Sequence, residues 1–182
     1  MRVIAGIARG VPLTAPRDRA TRPITDRVKE TLFGIIGARV LDARVLDLYA
    51  GSGAVGIEAL SRGAAHATFV ERGRDVAAVI RSNLEKTRLA EAASVHVEAV
   101  ERFLARGGDD RYDLVVLDPP YAERAILAPL RALVPLLAPE AMVVVKHFWR
   151  TELPEVAGLV ANRERRFGET TLTFLASEED PS

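Results

Sequence analysis

From Gly37 onward the chain alternates short apolar runs with stretches whose apolar residues recur every three or four positions. The runs "RVLDLY" (44–49), "HATFVE" (66–71), "SVHVE" (94–98), "YDLVVLD" (112–118) and "AMVVVKH" (141–147) predict five strands. The most nearly continuous of them, such as 112–118, match strands covered on both faces, because a half-exposed strand would alternate with period two. Between them, "AVGIEALSR" (54–62, stopped by Gly63), "RDVAAVIRSNLEKTR" (74–88), "VERFLARG" (100–107) and "ILAPLRALVPLL" (126–137) predict helices. In the second of these, Val76, Val79, Ile80 and Leu84 share one face. Strand and helix alternating at this length imply an α/β fold: a Rossmann-like sheet, mostly parallel, with right-handed crossovers. The pattern changes at "LVANRERRFGETTLTFLA" (159–176), where two β segments meet at Gly168-Glu169. That reads as a C-terminal hairpin adding an antiparallel edge.

Ahead of Gly37, "MRVIAG" and "GVPLTAP" suit a small β-hairpin. "TDRVKETLFGIIG" then predicts a helix with Val28, Leu32, Ile35 and Ile36 on one side. The expected organisation is an N-terminal extension, residues 1–37, on an α/β domain, residues 38–182. At 182 residues, 48% apolar and 27% charged, the chain has ordinary globular composition.

The formal net charge is zero, but its distribution is uneven. Arg2, Arg9, Arg17, Arg19, Arg22, Arg27, Lys29 and Arg39 face only Asp18, Asp26 and Glu30 in the first 39 residues. Phosphates respond to local potential, so this is either a phosphate-binding arm or a solvated loop with scattered arginines. There is no cysteine, which excludes disulfides, thiolate metal sites and cysteine nucleophiles. His66, His96 and His147 show no metal-ligand spacing and suit strand-end surface positions. No metal is expected. No run approaches the ~20 apolar residues of a membrane span, and "MRVIAGIARG" is broken by Arg9 before a signal-peptide core develops. A cytoplasmic protein is expected.

The stretch "DLYAGSGAVG" carries G-x-G-x-x-G at Gly51, Gly53 and Gly56, a spacing used for dinucleotides. Its context points elsewhere. Asp47, within the preceding strand, would repel a pyrophosphate but suits a cofactor with a sulfonium and an amine, which S-adenosylmethionine has. Glu71, at the end of the next strand, suits a ribose diol under either reading.

"DLVVLDPPY" is the more specific signal. Two prolines donate no backbone hydrogen bonds and stiffen the turn, leaving the Asp118 carboxylate and the Pro119 carbonyl as neighbouring acceptors. Such a pair can take both hydrogens of an exocyclic base amine, freeing the nitrogen lone pair for attack on a sulfonium methyl. Tyr121 offers a face for base stacking, worth about 1–3 kcal/mol. The bland alternative is a proline-stopped strand with a surface aspartate.

With those residues in view, "DLYAGSGAVGIEALSRGA" and "LDPPY" resemble the class I S-adenosylmethionine-dependent methyltransferases. Together with "MRVIAGIARG", "TRPITDRVKETLFGII" and "FGETTLTFL", the chain looks like the RsmD family, which methylates N2 of a guanine in bacterial 16S rRNA. The resemblance implies Asp47, Gly51, Gly53, Glu71, Arg72, Val100 and Asp118 at the cofactor. It implies Asp118, Pro119, Pro120 and Tyr121 in the catalytic pocket, and Arg9, Arg22, Arg27 and Tyr121 on the RNA. The partner would be 16S rRNA or the assembling small subunit, met by a monomer. Ala99 stands where family members often carry aspartate, so adenine contact falls to the Val100 backbone or elsewhere. The "RPT" pattern reads Arg22-Pro23-Ile24, with Thr25 following. Rival readings are an N6-adenine methyltransferase, a dehydrogenase and a non-catalytic RNA-binding module.

Overall fold

In the computed structural model, which describes residues 1–16, 24–119 and 126–177, the five runs form β1 (Arg44–Leu48), β2 (His66–Glu71), β3 (Ala93–Val97), β4 (Tyr112–Leu117) and β5 (Leu137–Phe148). The hairpin supplies β6 (Leu159–Phe167) and β7 (Thr170–Ser177). One seven-stranded sheet results, in the order β3-β2-β1-β4-β5-β7-β6. Neighbours among β1–β5 are parallel, and β7 runs antiparallel to both β5 and β6. Strand β5 begins four residues before the apolar run because a register shift lets Leu137 pair with Tyr112. Strand order reverses between β1 and β4, so the crevice at their carboxyl ends is where such a sheet binds ligands.

Helices α1 (Asp26–Ile36), α2 (Ala54–Ser61), α3 (Arg74–Thr87), α4 (Val100–Arg106) and α5 (Leu127–Leu133) cover the sheet. The first three join Val45, Phe69, Val116, Val144 and Phe174 in one core. On the other face α4 and α5 pack on Leu46, Leu48, Val115, Val143 and Leu175. Burial on both faces explains the continuous apolar runs.

Residues 1–16 fold back on themselves through Val3 N–H to Val11 O and Gly10 N–H to Val3 O, with one antiparallel bridge between Arg2 and Pro12. Side chains of α2 hold this loop. The fully buried Glu58 carboxylate accepts from Ile4 N (2.8 Å), Ala5 N (3.0 Å), Lys29 Nζ (3.2 Å) and Arg62 Nε (2.8 Å). Ser61 Oγ accepts from Ala8 N and donates to the Ala5 carbonyl. Gly6, at φ +84°, lies so close that a Cβ there would overlap the Ser61 carbonyl.

His147 departs from its expected surface position. It is buried, with Nε2 2.8 Å from Thr173 Oγ1 on β7. A hydroxyl from the diagonal position on the neighbouring strand, two residues from its register partner Thr171, is what lets an imidazole sit in the interior.

Candidate active site at the strand tips

Three carboxylates end or nearly end three adjacent strands. Register places Asp47 of β1 beside Phe69 and Val116, Glu71 at the tip of β2, and Asp118 just past β4. Asp118 is fixed in place by its N–H donating to the Leu48 carbonyl at 3.3 Å.

Asp47 is 2% exposed, and its Oδ2 accepts the Gly56 N–H at 3.0 Å. This bond ties the strand to the start of α2 and sets the turn between them. Burial pushes the Asp47 pKa from 3.8 up to about 8; the Gly56 N–H opposes the rise, and the nearby charges of Asp118 and Glu71 add to it. A carboxyl so poised ionises readily once a cation arrives.

The three glycines divide the work. Gly51, at φ +55°, has open space where a Cβ would stand: its nearest contact would be the Tyr49 carbonyl, 4.0 Å away. A side chain there would fill the cradle above the strand tips. A Cβ at Gly53 would meet Ile80, Ile57 and Phe69 at 3.0–3.3 Å, and one at Gly56 would lie 2.4 Å from the Phe69 ring. Those two therefore let α2 lie close on β2, which is a packing requirement.

Glu71 braces the same turn. Its Oε2 accepts from Gly51 N (3.1 Å) and its Oε1 from Gly73 N (2.9 Å). Each oxygen keeps a second lone pair, enough to accept from a vicinal diol. Arg72 beside it is exposed. Ala99 and Val100 start α4 just beyond β3; the Val100 side chain is buried and Ala99 is exposed, so this turn offers backbone and one methyl group to an adenine ring.

Asp118 has a partner that its local sequence does not announce. Lys146 of β5, itself buried, donates to both carboxylate oxygens at 2.7 Å. Burial pushes the Asp118 pKa up, and the Lys146 charge and hydrogen bonds oppose it. Pro119, the next residue, is buried. Pro120, Tyr121 and Arg22 lie outside the described residues. Arg9 and Arg27 are exposed on the N-terminal segment and the first turn of α1.

Asn83 of α3 is a second residue the sequence reading passed over. Its Nδ2 donates to the Ser52 carbonyl (3.0 Å) and the Thr14 carbonyl (2.9 Å), and its Oδ1 accepts from Thr14 N (2.9 Å). One buried amide thus couples the glycine turn to the N-terminal segment. A polar residue at a core-facing helix position was the available signal. For Lys146 it was a charge closing the run "MVVVK". No group of three histidine or acidic residues able to hold a metal occurs among the described residues.

The glycine cradle, the poised Asp47 and Glu71, with lone pairs left over, fit a cationic adenosyl cofactor, and Asp118 stands on the same sheet face. Comparison with known proteins agrees. "Conserved hypothetical protein 95" matches residues 1–176. "Ribosomal RNA small subunit methyltransferase D" of Escherichia coli strain K12 is 38% identical over 181 residues, covering 98% of this chain and 90% of that one. The solved structure of yhhF from Escherichia coli superposes with a TM-score of 0.88 at 36% identity, covering 98% of each chain. SMU.776, solved complexed with SAH, shares the fold at 14% identity and a TM-score of 0.68, over 85% of this chain and 50% of that one. The fold is that of the class I methyltransferases, and the chain belongs to the Cons_hypoth95 family, that of the small-subunit rRNA methyltransferase D proteins.

Proposed function

We propose that this protein transfers the methyl group of S-adenosylmethionine to the exocyclic N2 amine of a guanine in 16S rRNA. One observation carries the reading: a carboxylate locked at the β4 tip beside a glycine cradle with a buried, cation-seeking aspartate on the neighbouring strand.

When bound, S-adenosylmethionine supplies the electrophilic methyl. Asp47 provides negative charge for its cationic end, Gly51 leaves room for it, and Glu71 accepts from its ribose. Asp118 accepts an N–H of the base amine, and the Pro119 carbonyl is the candidate for the second. Acceptance of both hydrogens leaves the nitrogen lone pair available for attack. The nitrogen sheds its extra proton only after methylation, with Asp118 Oδ as first acceptor, so no strong base is needed. Positioning and electrostatics provide most of the acceleration. A paired base cannot reach such a tip, so the target must be looped out or flipped. The N-terminal segment, with Arg9, Arg22 and Arg27, is assigned to RNA contact, and the active unit is a monomer.

The test is incubation of labelled S-adenosylmethionine with small-subunit particles from cells lacking the protein, followed by mapping of the modified nucleotide. Label at a guanine N2 is expected. Label at an adenine N6, or on DNA instead, would overturn the substrate assignment. Asp118→Ala should abolish transfer while cofactor binding persists; near-normal turnover would remove Asp118 from the mechanism.

A further inference from the structure

Beyond Lys146, β5 ends at Phe148 and the chain turns through Trp149 and Arg150, at the end of the sheet that carries Asp118 and the glycine cradle. The tip of the β6–β7 hairpin folds against it: Trp149 N–H donates to the Glu169 carbonyl at 3.0 Å. Two guanidinium groups converge on the Trp149 ring, Arg166 at 4.0 Å and Arg150 at 4.6 Å from its centroid. Arg166 is fixed further by its Nε donating to the Gly168 carbonyl at 2.8 Å, and the Phe148 ring packs 6.1 Å from Trp149. Both arginines are exposed, and among the described residues neither forms an ion pair with a carboxylate.

Exposed arginines along an edge strand often serve only to discourage edge-to-edge pairing. That accounts for Arg163 and Arg165 on β6. It does not account for two arginines brought onto one indole at the end of the strand that leads to the site. A guanidinium stacked on an aromatic ring has surrendered little freedom still to be lost, and its planar N–H edge remains available for a phosphate. The nearest acidic side chain on β6, Glu164, is occupied by Thr173 Oγ1 at 3.1 Å. The acidic segment Glu178-Glu179-Asp180 follows Ser177, which pairs with Leu159 at the far end of the hairpin from Gly168.

We infer that Trp149, Arg150 and Arg166 form a phosphate clamp for the RNA strand flanking the target nucleotide. The clamp lies on the β5 side of Asp118. The N-terminal segment is anchored to α2 and α3, on the β1–β2 side. RNA crossing the strand tips would thus be held on both flanks of the reacting base. The inference rests on the proposed RNA substrate.

The test compares wild type with an Arg150→Ala/Arg166→Ala double variant. Binding to protein-free 16S rRNA and turnover on small-subunit particles are followed from 50 to 200 mM salt. Each lost contact to a single-stranded phosphate flattens the salt slope by about 0.7, so two flatten it by about 1.4. Raising salt across that range should therefore weaken wild-type binding about sevenfold more than that of the variant. KM for particles should rise, kcat at saturation should hold, and an Arg150→Lys/Arg166→Lys variant should keep most of the slope. Equal slopes would overturn the clamp. So would a raised KM on particles with unchanged binding to free rRNA, the signature of a ribosomal-protein contact. A wild type that methylates no small-subunit RNA would overturn the substrate reading itself, whereas an active wild type indistinguishable from the variant would overturn the clamp alone.

Discussion

Replacing Asp47 with asparagine should make the cofactor-free protein more stable at neutral and alkaline pH while weakening its hold on S-adenosylmethionine. Asparagine keeps the shape and, through Oδ1, an acceptor for the Gly56 N–H, so it removes the charge and little else. In the wild type, burial raises the Asp47 pKa from 3.8 to about 8. A carboxyl whose pKa is raised by folding binds its proton more tightly in the native state. The stability this confers is fully present below pH 4 and is lost as pH climbs through 8. At about 1.4 kcal/mol per pH unit, the loss across that interval approaches an upper bound on the order of 5 kcal/mol. The asparagine variant has no such loss, so the gap between the two proteins should open from near zero at pH 4 toward several kcal/mol at pH 8.5.

Urea denaturation of both proteins at pH 4.5, 6.5 and 8.5 measures that gap directly. Parallel pH dependences would refute the reasoning, because they would mean the carboxylate is not disfavoured where it sits. Cofactor titration supplies the other half. If Asp47 must be ionised to receive a cation, wild-type affinity should rise between pH 6 and 8 with release of up to one proton. The variant should bind weakly, without that Asp47-dependent rise. Tight binding by the variant would place the cation elsewhere.

Two further outcomes follow from the same site. Lys146→Gln removes the charge that opposes the raised pKa of Asp118, so kcat at pH 7 should fall about 10- to 100-fold, the worth of a charge-assisted hydrogen bond, and recover partly at higher pH. An unchanged acid limb in the pH–rate profile would mean that Lys146 has only a structural part. Gly51→Ala and Gly56→Ala should fail in opposite ways. The first places a methyl in the cradle at φ +55° and should lose cofactor affinity for about 1 kcal/mol of stability. The second drives a Cβ into the Phe69 ring and should cost about 1–3 kcal/mol or more of stability, read by thermal denaturation.

The strands, the helices between them and the two candidate site loops were legible because each is a local signal: a run, a turn residue, a proline pair. What was not legible depends on register between distant segments. Lys146 meets Asp118 because β4 and β5 pair Leu117 with Val145, which puts the next residue on each strand side by side. Glu58 reads as one polar residue on the apolar helix "AVGIEALS", and its demand for partners became visible only when Lys29 and the backbone of residues 4 and 5 arrived to meet it. Asn83 likewise looked like one polar residue on an amphipathic helix. Of the glycine triplet, the spacing was legible but the division of labour was not, since only the position of Phe69 shows that Gly53 and Gly56 stand where a Cβ would crowd the core and Gly51 does not.

Asp47 and Asp118 differ mainly in where their counter-charge comes from, and that difference orders the reaction. Both are carboxylates whose burial disfavours ionisation. Asp118 has a lysine at 2.7 Å from both its oxygens, which favours the anion before any substrate arrives, as the proposed acceptor of a neutral amine's hydrogens requires. Among the described residues Asp47 accepts only from a backbone N–H, and its charge is favourable only when a cation is brought to it. Exchanging the two arrangements would defeat both. A lysine beside Asp47 would repel the sulfonium, and an uncompensated Asp118 would hold a proton and present a donor to an amine that needs an acceptor. The sheet separates these requirements by one strand: β5 supplies the lysine to β4, whereas the strands flanking β1 set Phe69 and Val116, not a cation, beside Asp47.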